Sequence, residues 1–252
     1  MRYSTIIFFL LSIQGLVKAQ ADNEIQVYAS PTIQQKWTIF ELHSNYTFKG
    51  SKLLAAPKTA RWLNESLEIT HGIGKNFELG FYTFTGVAPG GRYQYLGNQL
   101  RPRVTVPEKW KWAFGFSLSV EFGFFRPDDT TKFFWQGEIR PIFDKTINNW
   151  YFAFNPNIGF VLTGDNRGVS IAPQLKTVYT IDKKFGVGIE YYSDLGSFKK
   201  ILPAYLQEHL LGPMIDLYIH PMWEINGGLL FGLTENSNQS ILKILVGRRI
   251  GK

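Results

Sequence analysis

The stretch that decides the fold is residues 112–124, WAFGFSLSVEFGF, in which every second side chain is large and apolar. Alternate side chains of a β-strand point to opposite faces, so this pattern predicts one continuous apolar face from Trp112 to Phe124. The other face carries small and polar side chains, including the carboxylate of Glu121. A strand with one face in lipid and the other in a wet lumen has this pattern. Taken alone, the segment is also compatible with a strand of a soluble β-sandwich.

Residues 1–21 have the layout of a secretory signal peptide. They combine a basic start at Arg2, an apolar stretch from Ile6 to Val17, and the small-residue tripeptide at residues 19–21, Ala-Gln-Ala. The apolar core is too short to span a membrane as a helix. We therefore expect cleavage that leaves a mature chain starting near Asp22, within about two residues, and a single domain over 22–252.

Composition narrows the class of protein further. No later stretch approaches the roughly 20 apolar residues of a transmembrane helix, so membrane insertion requires a closed barrel. The chain has no cysteine, so it contains no disulfides although it is predicted to be exported. The net charge of +7 becomes +5 when Arg2 and Lys18 leave with residues 1–21, which hold no acid. This mildly basic balance could suggest nucleic acid, but export to the envelope argues against such a partner.

The remaining chain alternates regularly between strand patterns and turn signals. Strong turn sequences include GIGKN at 72, VAPGG at 87 and GDNRG at 164. The segments between turns predict a single closed antiparallel transmembrane β-barrel, an all-β up-and-down meander of about twelve strands, with ten and fourteen strands left open. The predicted strands are 37–48, 62–73, 76–87, 92–105, 110–125, 131–144, 149–163, 168–181, 184–195, 206–220, 222–234 and 239–250.

Tryptophans mark one end of the predicted strands. If the N-terminus is periplasmic, odd-numbered strands start at the periplasmic interface, where Trp37, Trp110, Trp150 and Trp223 all fall. Tryptophan prefers the headgroup level of a membrane. These four residues are therefore interpreted as an aromatic girdle.

The inward-facing positions are strongly polar, which rules out a dry core. Charges of opposite sign alternate over four successive strands, and cross-strand pairing is expected between them. The candidates for the lumen and for solute selectivity are Glu78, Arg101, Arg103, Glu121, Glu138, Arg140, Lys176, Glu190, Asp216 and Glu224. One interpretation is a salt-bridge network that stiffens the wall, and the other is a charged constriction that selects solutes. The two are compatible.

Five predicted strands contain an internal proline, at 102, 141, 156, 173 and 213. Proline removes a ladder donor and normally lies at sheet edges or bulges. The recurrence predicts bulges that bend the barrel wall.

Short segments along the mature chain carry a resemblance to a known family. They are EIQVY at 24, ELHSNYTFKG at 41, NFELGFY at 76, LRPRV at 100, GEIRPIF at 137, AFNPNIGF at 153, GIEYYSDLG at 188 and WEINGGLLFGLT at 223. The chain resembles bacterial outer-membrane β-barrels and is similar to the MetA-pathway of phenol degradation family of transporter-like proteins. The resemblance implies an outer-membrane location and transport of small organic molecules. It supplies no catalytic residues.

Enzyme chemistry has little support in the sequence. Outer-membrane lipid hydrolases place a Ser, a His and an acid or Asn near one rim of a barrel. The available residues are His43 with Ser44 and Asn45, His71, and His220, but no spacing defines a triad. Four scattered histidines without cysteine give no metal site, and no cofactor is expected.

The sequence thus favours a passive channel for small solutes in the bacterial outer membrane. Its expected partners are outer-membrane lipids, the solutes, and the barrel-assembly machinery during biogenesis. Two alternatives stay open: an enzyme that modifies envelope lipids through His43 or His71, and a structural or host-contact barrel that acts through outer loops such as 50–60. The pattern does not decide whether residues 22–35 plug the lumen or lie along the periplasmic rim.

Overall fold

The computed structural model describes residues 24–53, 59–126, 132–164 and 167–251. The predicted signal peptide, residues 1–21, lies outside this part. The strands are β1 (Thr38–Lys49), β2 (Leu63–Gly74), β3 (Phe77–Ala88), β4 (Arg92–Thr105), β5 (Gly115–Phe125), β6 (Phe134–Ile147), β7 (Trp150–Val161), β8 (Gly168–Thr180), β9 (Phe185–Asp194), β10 (Gly196–Ser197), β11 (Lys200–Ile201), β12 (Glu208–Leu217), β13 (Trp223–Gly232) and β14 (Ser240–Ile250). Among the described residues, no helix has the length and apolarity needed to cross a membrane.

The twelve long strands close into one antiparallel barrel. Each pairs with its neighbour in the chain, β9 pairs with β12, and β1 pairs with both β2 and β14. The two short strands β10 and β11 form a small hairpin beside β8. The prediction of a closed twelve-stranded meander is therefore confirmed. Closure pairs the edges that an open sheet would leave exposed.

Strand boundaries follow the predicted ones within a few residues, except at the start of β5. Residues 108–110 form a turn of 3₁₀-helix, and Lys111 after it adopts a left-handed conformation with φ 51°. The chain then bends at residues 113–114, and β5 begins only at Gly115. The aromatic surface still continues across the break, because the Trp112 ring stacks on Phe116 at a centroid distance of 5.9 Å.

The connections give the two ends of the barrel different characters. At the end where β1 starts, the strands are joined by residues 75–76, 106–114, 148–149, 181–184 and 218–222. We call this the short-turn end. At the opposite end, called the long-loop end, the connections are residues 50–62, 89–91, 126–133, 162–167, 195–207 and 233–239.

The wall separates side chains as the period-two pattern predicts. Outward positions of β5 such as Leu118 and Phe122 are exposed, and inward positions such as Ser119 and Glu121 are buried. The same division holds around the barrel, where exposed outward residues include Phe81, Phe154 and Ile189. An apolar outer band and a polar interior follow from it.

The prediction of bulges at the internal prolines is wrong. Register shifts lie elsewhere, between Thr47 and Lys49, Gly72 and Gly74, and Phe84 and Thr85. Pro173 lies just before the first β8–β9 pair, at Gln174. At the other four prolines the register is kept, but pairing is interrupted on one side of the strand. The interruptions fall between β4 and β5 at Pro102, between β6 and β7 at Pro141 and Pro156, and between β12 and β13 at Pro213. A missing N–H costs a ladder bond without requiring an extra residue.

Candidate functional site

The barrel interior holds the segment that precedes the first strand. Residues 24–28 of this segment are buried inside the wall. Both backbone polar groups of Tyr28 are hydrogen-bonded to the side-chain amide of Asn155 on β7. The Tyr28 N–H donates to Asn155 Oδ1 at 2.7 Å, and the Tyr28 carbonyl accepts from Asn155 Nδ2 at 3.1 Å. Of the two arrangements that the sequence left open, the structure shows a segment within the lumen. We call residues 24–35 the plug.

The plug runs from the middle of the lumen to the short-turn end along specific wall contacts. Ser30 donates its N–H and its hydroxyl to the Asp144 carboxylate at 2.8 and 2.7 Å. The N–H of Ile33 donates to Glu78 Oε2 at 2.5 Å. The plug then crosses Gly72, where a Cβ would overlap the carbonyl oxygens of Ile33 and Gln34. Glycine is required there because the two backbones approach so closely.

Tyr28 is the central residue of the first charge cluster. Its hydroxyl donates to Glu24 Oε1 at 2.6 Å and lies 2.7 Å from the Tyr82 hydroxyl and 3.2 Å from Glu68 Oε2. Three guanidinium groups surround its ring, at 4.5 Å for Arg140, 5.1 Å for Arg101 and 5.6 Å for Arg103. Tyr28 is buried, and cation–π attraction is stronger at desolvated sites than at exposed ones.

Two sets of ion pairs complete this cluster. On β3 and β4, Glu78 accepts from Arg101 at 2.8 Å and from Arg103 at 2.7 Å, and Arg101 also contacts Glu68. We define the arginine cluster as Tyr28, Glu68, Glu78, Arg101 and Arg103, together with the Arg140 group that is described next.

The Arg140 group joins wall and plug. Arg140 pairs with Glu138 at 2.5 Å, Glu24 at 3.3 Å and Glu121 at 3.6 Å. Glu121 and Glu138 are direct cross-strand partners in β5 and β6. Two like charges in that position repel, so the guanidinium of Arg140 is the counter-charge that lets both carboxylates be buried.

A second cluster lies on the side of the lumen formed by β8, β9 and β12–β14. Lys176 pairs with Glu190 at 3.2 Å and with Asp216 at 3.0 Å, and Lys243 pairs with Glu190 at 2.6 Å. Asn226 donates to Asp216 at 2.7 Å. These five residues form the lysine cluster, and all of them belong to the wall.

Two cavities flank the plug toward the short-turn end. One of about 500 Å³ is bordered by Glu78, Arg101 and Arg103, and the other of about 280 Å³ by residues of the lysine cluster. Both reach the pair Arg249–Glu224, whose charged groups lie 2.5 Å apart and whose side chains are 32% and 36% exposed. Cavities with several charged groups in their linings and a partly exposed ion pair at the mouth can admit water and small hydrophilic molecules.

The structure brings the predicted lumen residues together in part as expected. Glu78 pairs with Arg101 and Arg103, and Arg140 with Glu121, which agrees with alternating charges. Sequence reasoning missed the contribution of Glu24 and Tyr28. Alternation in EIQVY, residues 24–28, was a usable signal, because it places both side chains on one face of an extended segment.

The four tryptophans lie at the short-turn end, in different surroundings. Trp110 and Trp150 are exposed at 58% and 46%. Trp223 lies under the guanidinium of Arg248, 4.9 Å from its ring centroid. Trp37 borders the larger cavity.

The histidines do not form a catalytic arrangement with the residues considered for one. His43 points into the lumen, 3.6 Å from Glu68, whereas Ser44 points outward and contacts Glu65 at 3.5 Å. His71 lies near the short-turn end, 2.9 Å from the Thr38 hydroxyl. Within the part of the chain that is described, no group of three His, Asp or Glu side chains is arranged to hold a metal ion.

Comparison with known proteins gives the fold. No family model and no curated protein matches the chain. Among solved structures, the COG4313 outer membrane channel from Pseudomonas putida F1 is similar with a TM-score of 0.63 at 12% identity, covering 90% of this chain and 100% of that one. The KdgM porin gives a TM-score of 0.54 at 10% identity over 83% and 98% of the two chains, and the NanC porin 0.53 at 8% over 84% and 99%. The chain therefore has the fold of outer-membrane channels and porins.

Proposed function

We propose that this chain is a bacterial outer-membrane barrel through which small solutes pass passively. The observation that carries the proposal is the wall itself, with an apolar outer face and a charged inner face that borders two cavities. In a bilayer, backbone polar groups must be paired internally, and a closed barrel achieves this. The short-turn end faces the periplasm in this proposal, as in other bacterial barrels.

The plug sets the expected size of the pathway. It lies in the middle of a lumen that twelve strands already keep narrow, and plug residues border both cavities, of about 280 and 500 Å³. Solutes that pass are therefore small, and the passage of larger solutes requires the plug to shift.

Single-channel recording tests the proposal. The chain starting at Asp22 is refolded into a planar bilayer, with heat-shifted gel mobility as the check on folding. We expect discrete current steps of low conductance. A correctly folded barrel that carries no current would contradict passive passage.

Selectivity is tested at the cavity mouth, where changes leave the buried clusters intact. Replacing Arg249→Gln removes a cation and should shift the permeability ratio toward cations, and Glu224→Gln should shift it toward anions. Arg248→Gln is the matched control, because Arg248 is next in the chain but faces outward over Trp223. If Arg248→Gln and Arg249→Gln shift the permeability ratio equally, the Arg249–Glu224 pair does not determine ion selectivity.

The resemblance to the MetA-pathway of phenol degradation family supports small organic molecules as solutes, and the export signal over residues 1–21 supports passage through the barrel-assembly machinery. Outward-facing aromatics make outer-membrane lipids the surrounding partner. The selectivity role of Glu121, Glu138 and the other buried candidates is part of the same proposal.

A further inference from the structure

One charged side chain faces outward near the short-turn end without a partner. Successive residues of β6 alternate, so Lys145 points away from the lumen while Asp144 points into it and binds the plug. Two other outward charges on the strands differ from it: Glu65 contacts Ser44, and Arg248 lies over Trp223. Lys145 is exposed, and its ammonium group makes no hydrogen bond or ion pair with any other described residue.

Lys145 lies at the edge of an apolar groove of about 490 Å³ on the outer surface of the barrel. The register of β6–β9 explains the groove: at one level Phe152, Thr177 and Ile189 stand side by side, and the short Thr177 leaves a depression between two large side chains. Its remaining walls include Phe143, Phe154 and Leu175.

The position of Lys145 along β6 indicates the level in the membrane at which its ammonium group lies. Lys145 pairs with Phe152, and two residues farther along, Ile147 pairs with the rim residue Trp150. At about 3.4 Å per residue, the lysine Cα is roughly 7 Å from the end of the strand. A side chain in this position extends to the headgroup level of the membrane.

From these observations we propose that the groove binds one phospholipid of the periplasmic leaflet, with an acyl chain along Thr177 and an anionic headgroup phosphate on Lys145. Apolar contact alone gives little preference, because lipid tails are already in an apolar medium. The charge of Lys145 therefore selects anionic headgroups over zwitterionic ones. The proposal rests on the short-turn end facing the periplasm and does not depend on conduction through the lumen.

Native mass spectrometry of the refolded chain tests the proposal with phosphatidylglycerol and phosphatidylethanolamine as probes. Wild type should retain one phosphatidylglycerol in preference to phosphatidylethanolamine. Lys145→Gln should weaken that preference about five-fold, the effect of one cation near an anionic surface. Thr177→Trp fills the depression and should abolish retention of either lipid.

Arg248→Gln is the control, since it removes an outward cation at the same end but outside the groove. It should retain phosphatidylglycerol like wild type. Equal retention in wild type and Lys145→Gln would overturn the proposal, as would a bound lipid that survives Thr177→Trp. A dimer that is lost on Thr177→Trp would instead assign the groove to a second copy of the chain and also overturn it. Heat-shifted mobility confirms that each variant is folded.

Discussion

The arginine cluster and the lysine cluster differ in what completes them. The lysine cluster is assembled entirely from wall strands, with Lys176, Glu190 and Lys243 in one chain of ion pairs. The arginine cluster takes Glu24 and Tyr28 from the plug. The lysine cluster thus balances two lysines against two carboxylates without the plug, whereas the arginine cluster includes side chains of the plug. These two side chains dock on the arginine side, whereas the apolar side chains of the plug pack against the opposite side of the lumen.

The largest expected effect would come from removing the cation shared by wall and plug. Arg140→Met leaves the facing carboxylates Glu121 and Glu138 without their counter-charge. Breaking a buried pair in this way should lower the free energy of unfolding by about 3–5 kcal/mol. Urea titration of the barrel in lipid vesicles measures it. A loss below about 1 kcal/mol, typical of surface ion pairs, would show that the cluster is hydrated and not held by Arg140.

Removing the aromatic ring of the plug should loosen the plug and leave the wall closed. Tyr28→Ala loses the contacts to three guanidinium groups, and we expect plug docking to weaken by about 3 kcal/mol. Single-channel conductance should rise as the lumen widens. Tyr28→Phe keeps the ring and loses only the hydroxyl bonds, so its effect should be nearer 1 kcal/mol. Identical conductance for wild type and Tyr28→Ala would disprove plug control of the pathway.

A steric change at the rim should displace the plug without altering any charge. In Gly72→Ala the new methyl group overlaps the backbone of the plug at Ile33 and Gln34. Overpacking of this kind costs about 1–3 kcal/mol, and conductance should increase. Gly227→Ala is the matched control, because its Cβ would meet only the Lys243 carbonyl oxygen, at 3.4 Å. If the control opens the pore equally, the effect is not specific to the plug.

The smallest effect is expected on the lysine side. Lys176→Met leaves Glu190 paired with Lys243 and Asp216 bonded to Asn226. Lys176 and Asp216 both border the smaller cavity, where water can screen their charges, so stability should fall by only about 1 kcal/mol. The conductance set by the plug should not change. A loss as large as that of Arg140→Met, measured by the same urea titration, would erase the distinction between the two clusters.

The sequence by itself determined the wall of this protein. Strand faces depend on a period of two that is local to each segment, so the pattern from Leu118 to Phe122 and its counterparts sufficed to predict twelve strands and their inward charges. The predicted start of β5 was wrong because the extended backbone is interrupted before it, as at Lys111 with its positive φ. The prediction of bulges at prolines such as Pro141 was wrong because loss of the N–H donor does not require an extra residue in the strand.

Only the tertiary structure decided what lies inside that wall. Tyr28 meets Arg101 and Arg140 across large separations in the chain, and those contacts exist only after the barrel closes around the plug. Periodicity gives the direction of each side chain but not which residues across the lumen share a level, since the tilt and stagger of all strands set that.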